Sequence, residues 1–536
     1  MPAHLQAYQA TGAWRDRTLP ELAYDRAMAT PNAEIFIGNE PRVTFGALFE
    51  DAEALAVSFG DLGLHAGDRI SFQIPNWHEA AAINLAAAMA GLVVVPIVPI
   101  YRDAEMRQML ADSGCRLLFL AEQFRGFDYA AMAERIQPDL PSLETVIFVR
   151  GSDPARSYEA LVECGRGRSL GGWAASPNAV KIILYTSGTT GTPKGVLHSQ
   201  NTLNNALDMC IRQWRIQEGE VLLMPSPVTH LTGYGYLEMP LLTGAKTLLM
   251  EQWNAEEAAD LIEKYDVVGT ISATPFLKEL ADCAERRGTG LPSLRFFACG
   301  GAAVPPSIIR HANTVLDRAP AFRVFGCTEA PLITMGFHGA DEHELAATTD
   351  GKIEDYKVRI VDEDGNELAA GEEGEILARG PAMLLGYFDP LQTEEAITDD
   401  GFYKTGDLGI LTPENAVLIT GRKKDLIIRG GENISAKEIE DLLYRHPAIE
   451  DAAVVAMPHA RLGEGVCAVV VLRPDAELSR ANLAEFISQS GLAKQKWPER
   501  IELVDQLPKT ATGKVRKDVL RSEIARAIAT DRPLSL

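Results

Sequence analysis

The chain has 536 residues, 46% of them hydrophobic, which exceeds one ordinary domain and allows several sizeable cores. Its formal net charge of −23 argues against nucleic acid or an anionic membrane surface as partner, because either needs a basic face. Seven cysteines, at positions 115, 164, 210, 283, 299, 327 and 467, show no C-x-x-C pair and no zinc-like spacing, which suits a reducing cytoplasm.

The first 22 residues lack the basic start, apolar core and small-residue cleavage site of a secretory signal. From residue 20 to about 170, helical and strand-like stretches alternate: an amphipathic helix over 45–62, a strand over 69–74 and another over 116–120. This grammar predicts helices covering a mostly parallel sheet. Residues 80–100 are apolar enough to span a bilayer, but Gly91 reads as a helix stop and Pro96 and Pro99 interrupt the β-branched second half, so a buried helix and strand are expected. Residues 149–177, rich in Gly, Ser and Arg, read as a connection.

That connection leads to an apolar strand over 179–185 and then to YTSGTTGTPKG at 185–195. Glycines bring backbone N–H groups close to an anion, five hydroxyls (Thr186, Ser187, Thr189, Thr190, Thr192) add donors, and Lys194 supplies a mobile charge. The stretch predicts a phosphate grip. The ordinary nucleotide P-loop pattern does not fit, since Pro193 stands where its second glycine belongs. A plain Gly/Thr-rich surface turn is the alternative.

A helix is expected over 200–214, followed by apolar runs broken by Pro, Gly and His230 that read as pocket lining, with a hydrogen-bonded core histidine as the alternative for His230. An Asn-started helix over 254–265 precedes VVGTISATPFLKEL, a strand running through a turn into a helix. RFFACGGAAVP at 295–305 and FRVFGCTEA at 322–330 are two more strand-to-turn stretches. Three such turns at strand carboxyl ends converge on one crevice in an open α/β sheet. Glu329, the acid in its loop, is a magnesium-ligand candidate beside phosphates, or else a plain helix-start glutamate.

Past residue 350 short strands and tight turns predict a small β-rich subdomain to about 420. It ends in GFYKTGDLGIL, where Asp407 reads as an Asx turn or as an acceptor for two ribose hydroxyls. GRKKDLIIRGGENISAKEIE at 421–440 looks like a boundary, with a helix starting near Ser435 and Glu438 at the capping-box position. The remaining 110 or so residues alternate helix and strand as a unit of their own. LPKTATGKVRK, near the end, reads by itself as a solvated basic turn presenting Lys509 and Lys514.

Taken together, YTSGTTGTPKG at 185, FGCTEA at 325, KTGD at 404, GRKKDLIIRGGENISAKEIE at 421 and PKTATGKVRK at 508 resemble, in order, the signatures of the adenylate-forming (AMP-binding) superfamily. Acyl-CoA synthetases, peptide-synthetase adenylation domains and luciferases belong to it. The resemblance implies an α/β fold with an α+β C-terminal domain: a large N-terminal domain (1–423) of helix-covered sheets with the β-rich subdomain, hinged to a small mobile domain (424–536). It implies an ATP-dependent ligase in which a carboxylate attacks the α-phosphate to give an acyl-adenylate and pyrophosphate, after which a thiol, usually coenzyme A, displaces AMP. ATP, Mg2+ and coenzyme A are the expected cofactors and a small carboxylic acid the expected partner, with no nucleic acid and no membrane span.

By the same resemblance, Thr186, Ser187, Gly188, Thr189, Thr190, Gly191 and Lys194 hold the β and γ phosphates, with Thr186 and Glu329 on magnesium. Gly301, Ala302, Ala303 and Phe325 flank adenine beside Gly326 and Cys327, Thr328 reaches the α-phosphate, and Asp407 and Arg422 hold the ribose. Lys514 bridges α-phosphate and carboxylate, Lys424 is the hinge, and Gly430, Gly431 and Glu432 border the thiol tunnel. Departures are Phe325 at a position commonly tyrosine, and Arg516 and Lys517 in place of a single later arginine. His230 is followed by Leu231 where aryl-acid enzymes commonly carry His-Asn, which weighs against an aryl substrate; DVVGTISATPFLKEL, with HLTGYGY before it, resembles ligases for short to medium-chain or alicyclic acids of the cyclohexanecarboxylate type, with His230, Tyr234, Gly235, Thr274, Pro275 and Phe276 as the implied pocket. Transfer to a carrier protein and a catalytically silent nucleotide sensor are the alternatives, and the oligomeric state, a homodimer included, stays open.

Overall fold

The computed structural model describes residues 3–38, 42–186, 193–302, 304–339, 341–474, 476–510 and 513–530. Ser187, Gly188, Thr189, Thr190, Gly191 and Ala303, all candidate nucleotide contacts, lie outside the described residues.

Two seven-stranded sheets form the large part of the chain. One runs, in spatial order, Ala321–Arg323, Phe296–Cys299, Val267–Ser272, Val221–Met224, Lys246–Leu249, Glu34–Ile37 and Val43–Thr44. It is parallel except for its last pair. The other runs Gly386–Tyr387, Lys194–Ser199, Val180–Thr186, Val93–Pro96, Arg69–Gln73, Leu117–Ala121 and Thr145–Val149. Here Lys194–Ser199 pairs antiparallel on both sides, and the remaining pairs are parallel.

The apolar stretch 80–100 divides into the helix Glu79–Ala90, capped at Gly91 in the left-handed region (φ 69°), and the buried strand Val93–Pro96. The helix is buried almost throughout because helices pack on both of its sides, Phe45–Asp61 foremost. No helix among the described residues is long and apolar enough to cross a membrane.

Three sequence expectations fail locally. Residues 149–177 are not merely a connection: Ser157 caps a helix Tyr158–Gly165 whose Tyr158 and Val162, four apart, are buried. Residues 231–243 form one helix despite two glycines and Pro240. A Cβ on Gly233 would stand 2.1 Å from the Pro227 carbonyl oxygen, so the residue that weakens the helix is the one that lets it seat. The capping box at Ser435 is not formed: the Ser435 hydroxyl donates to the Thr420 carbonyl at 2.6 Å, and Glu438 instead receives Lys496.

The β-rich subdomain is a four-stranded antiparallel sheet, Lys357–Val361, Gly374–Arg379, Tyr403–Leu411 and Val417–Arg422. Beyond it, the small C-terminal domain holds a five-stranded sheet built on the long hairpin Ile449–His459 and Gly463–Leu472. Its hydrophobic residues form two clusters of their own, one on each face of that hairpin.

Candidate active site

The strand Val180–Thr186 carries a buried run from Lys181 to Leu184 and ends where the glycine-rich stretch begins. Lys194 opens the antiparallel return strand and stands opposite Thr186 in the ladder. Lys194, Val196 and His198 share one face of that strand. On the neighbouring strand Tyr387 pairs with Val196, and the Lys194 ammonium lies 5.2 Å from the centre of the Tyr387 ring.

That tyrosine reaches the next loop: its hydroxyl donates to Glu329 Oε1 at 2.9 Å. Glu329 is buried, at 8% exposure, and its backbone carbonyl accepts from Leu384 N–H at 2.8 Å. The loop leaves the strand Ala321–Arg323 through buried Phe325, whose N–H donates to Thr334 Oγ1 at 2.8 Å. Gly326 is obligatory in this turn, since a Cβ there would come within 2.4 Å of the Leu332 nitrogen. Gly301 and Ala302 follow the adjacent parallel strand, which puts their loop beside Phe325. Burial holds the Cys327 thiol well above its usual range, so it stays protonated.

Asp407 does not lie in a turn, as its sequence suggested, but within the strand Tyr403–Leu411, directly across the ladder from Arg422. Arg422 Nε donates to Asp407 Oδ1 at 2.5 Å, and the Asp407 N–H donates to Thr405 Oγ1 at 3.1 Å. One carboxylate oxygen of a 3%-exposed aspartate is thereby oriented by an arginine.

Lys514 comes to this pair from the far end of the chain, and it is not the solvated lysine that its turn suggested. It is half-buried in a turn closed by Thr510 N–H to the Lys514 carbonyl at 2.8 Å and Gly513 N–H to the Thr510 carbonyl at 2.9 Å. Burial, with the Arg422 charge next, pushes its amine down to about 8, while Asp407 pulls the other way. Lys509, by contrast, pairs with Asp451 at 2.7 Å inside the C-terminal domain. The Lys514 turn also touches the opposite wall: a Cβ on Gly513 would lie 3.4 Å from Pro275.

On that wall Thr274 is buried at the start of the helix Thr274–Arg287, and Phe276 packs edge-on against Trp253 at 4.9 Å. His230 caps the helix Leu231–Thr243, its Nδ1 accepting from Thr232 N–H at 3.3 Å. Burial and then the Lys514 charge hold its imidazole down to about 4, so it is neutral. Gly235 is half-buried on the same helix. Tyr234, expected to line a pocket, is 1% exposed and donates its hydroxyl to Asn84 inside the core. Gly430 and Gly431 form the exposed tip of the hairpin Ile427–Arg429 and Glu432–Ile434. Lys424 is exposed, and Arg521 holds its carbonyl at 3.3 Å and Asp425 at 3.2 Å. His198 and Tyr387 were not anticipated; a polar residue at even spacing from Lys194 on a buried strand was the signal for the first.

The candidate site is therefore made of two loops that follow parallel strands, an arginine-oriented aspartate and a lysine from the last domain. Residues 24–388 match the AMP-binding enzyme family, and residues 438–514 match the AMP-binding enzyme C-terminal domain. The chain belongs to the AMP-binding enzymes. Among them it is 34% identical over 533 residues to the medium-chain fatty-acid–CoA ligase of Escherichia coli (strain K12), covering 98% of this chain and 94% of that one. It is also 34% identical over 524 residues to the vibriobactin-specific 2,3-dihydroxybenzoate-AMP ligase of Vibrio cholerae, covering 96% and 95%. The crystal structure of ATP-bound MatB from Rhodopseudomonas palustris superimposes with a TM-score of 0.83 at 27% identity, covering 95% of this chain and 99% of that chain. As an AMP-binding enzyme the chain is an adenylate-forming ligase, and ATP is its nucleotide.

Proposed function

We propose that the chain is an AMP-forming acid–CoA ligase acting on a short to medium-chain or alicyclic carboxylic acid, in a cytoplasm where its free thiols are stable. The observation that carries this reading is Lys514, delivered by the C-terminal domain to Asp407, Arg422 and the Pro275 wall. A cation there meets the charge that develops when a carboxylate attacks the α-phosphate. Lys194 and the loop before it grip the departing pyrophosphate, Thr328 faces the α-phosphate, Gly301, Ala302 and Phe325 flank the base, and Asp407 and Arg422 take the ribose.

Glu329 and Thr186 offer the hard oxygen donors that magnesium prefers, with one Glu329 oxygen held by Tyr387 and the other without a hydrogen bond among the described residues. They would hold the ion, whose charge would neutralise phosphate oxygens. We place the domain boundary at 423/424, with Lys424 as hinge, and assign the 430–432 tip to the thiol path after rotation. The reading is tested by carboxylate-dependent exchange of pyrophosphate into ATP over a panel of acids. Exchange strongest with short to medium-chain or alicyclic acids supports it, and absence of exchange with every acid removes it. A second reading, loading of a carrier protein, is favoured by the equal identity to an aryl-AMP ligase. Failure of coenzyme A alone to accept the acyl group would select it.

A further inference from the structure

We propose that His198 is a positioning residue for adenylation, holding the Thr328 carbonyl so that Thr328 faces the α-phosphate. This rests on the reading above. His198 Nε2 stands 2.7 Å from the Thr328 carbonyl oxygen, a contact across 130 residues of sequence, and Nδ1 stands 3.0 Å from the Thr202 hydroxyl. A carbonyl only accepts, so Nε2 carries the proton and Nδ1 of the neutral ring is an acceptor facing the Thr202 hydroxyl, whose single proton is shared between it and the Ser199 carbonyl at 3.0 Å. The ring is fully buried, and that burial holds it neutral, down to about 4.

The placement gives this hydrogen bond its use. Lys194 and His198 lie on one face of a single strand, so the strand that begins at the phosphate-gripping segment also grips the 327–329 loop. Its partner strand adds Tyr387 on Glu329. The loop is held independently one peptide further out on each side, Cys327 N–H by the Ala330 carbonyl at 3.1 Å and the Glu329 carbonyl by Leu384 N–H at 2.8 Å. Among the described hydrogen bonds, the Thr328 carbonyl has His198 alone. Without it, that carbonyl must turn to find a donor and carry the threonine with it, and a displacement of about 1 Å in a positioned group costs about 100-fold in rate.

The test compares H198L, H198Q and H198N in pyrophosphate exchange, each normalised to active sites by an acyl-adenylate burst and checked for melting temperature. A glutamine amide reaches where Nε2 stands; an asparagine amide reaches only where Nδ1 stands. H198L and H198N are expected to lose about 10 to 100-fold in kcat with KM for ATP within about 3-fold of wild type, and H198Q to recover to within about 3-fold. Wild-type kcat in H198L, equal loss in H198Q and H198N, or a loss confined to KM would each overturn the proposal. Absence of exchange in the wild type with every acid would instead remove the functional reading, and this inference with it.

Discussion

Lys514 sits at a position where its charge state matters at accessible pH. Below about 8 its amine is protonated; above, the buried ammonium gives up its proton, helped by Arg422. If this cation serves adenylation as proposed, kcat/KM for ATP should fall as pH rises through about 8. Bound phosphates favour the charged form, so kcat should fall at a higher pH than kcat/KM. Lys514→Arg, whose guanidinium stays charged, should flatten the profile of whatever rate it retains. A rate profile of the wild type that stays level to pH 10 in both parameters would contradict this assignment. The residue type and its Thr/Gly turn were legible in the sequence, but its burial was not, because the groups that enclose it lie about 90 to 280 residues away. His198 and Tyr387 escaped for the same reason: each is defined by a contact across the fold.

At the scale of elements, the helix Leu231–Thr243 was the least readable, since Gly233, Gly235 and Pro240 argue against a helix and only packing reverses that. A buried polar cluster anchors it. Lys181, on the strand Val180–Thr186, pairs with Glu238, which also accepts from Asn84 at 3.0 Å and Gln200 at 3.1 Å. With side chains only 6% and 1% exposed, neither charge has water to fall back on. Lys181→Met should therefore destabilise by about 3 to 5 kcal/mol in urea unfolding, whereas Lys181→Met with Glu238→Met should recover most of that loss. Equal loss in the single and double variants would show that packing, not the unpaired charge, sets the cost. Elements with regular signals were legible: the strand-to-turn-to-helix unit at 267–287 and the strand of the 295–305 stretch came from periodicity and punctuation alone, as did the Asn254 cap, whereas the helix Pro306–Val315 that follows was not read. The Ser435 capping box failed because Thr420 and Lys496 compete for its two members.

Across the whole molecule, the order of the signatures along the chain made the family legible, while the docking of the C-terminal domain came only with the structure. That docking brings Lys514 to Asp407 and leaves the Gly430–Gly431 tip exposed on the outside. On the proposed reading the domain would present two surfaces in turn, the Lys514 turn, which is in place here, and the 430–432 tip. If the tip borders the thiol path after rotation about Lys424, then Gly431→Trp should raise KM for coenzyme A by about 10-fold or more while pyrophosphate exchange stays near wild type; unchanged coenzyme A kinetics would exclude the tip from that path. The most direct measurement of the two-surface enzyme is Lys514→Ala followed through each half-reaction separately. Exchange should fall by about 100 to 1000-fold, roughly 3 to 4 kcal/mol of transition-state stabilisation, while conversion of supplied acyl-adenylate to thioester continues near the wild-type rate. Equal loss in both half-reactions would contradict it.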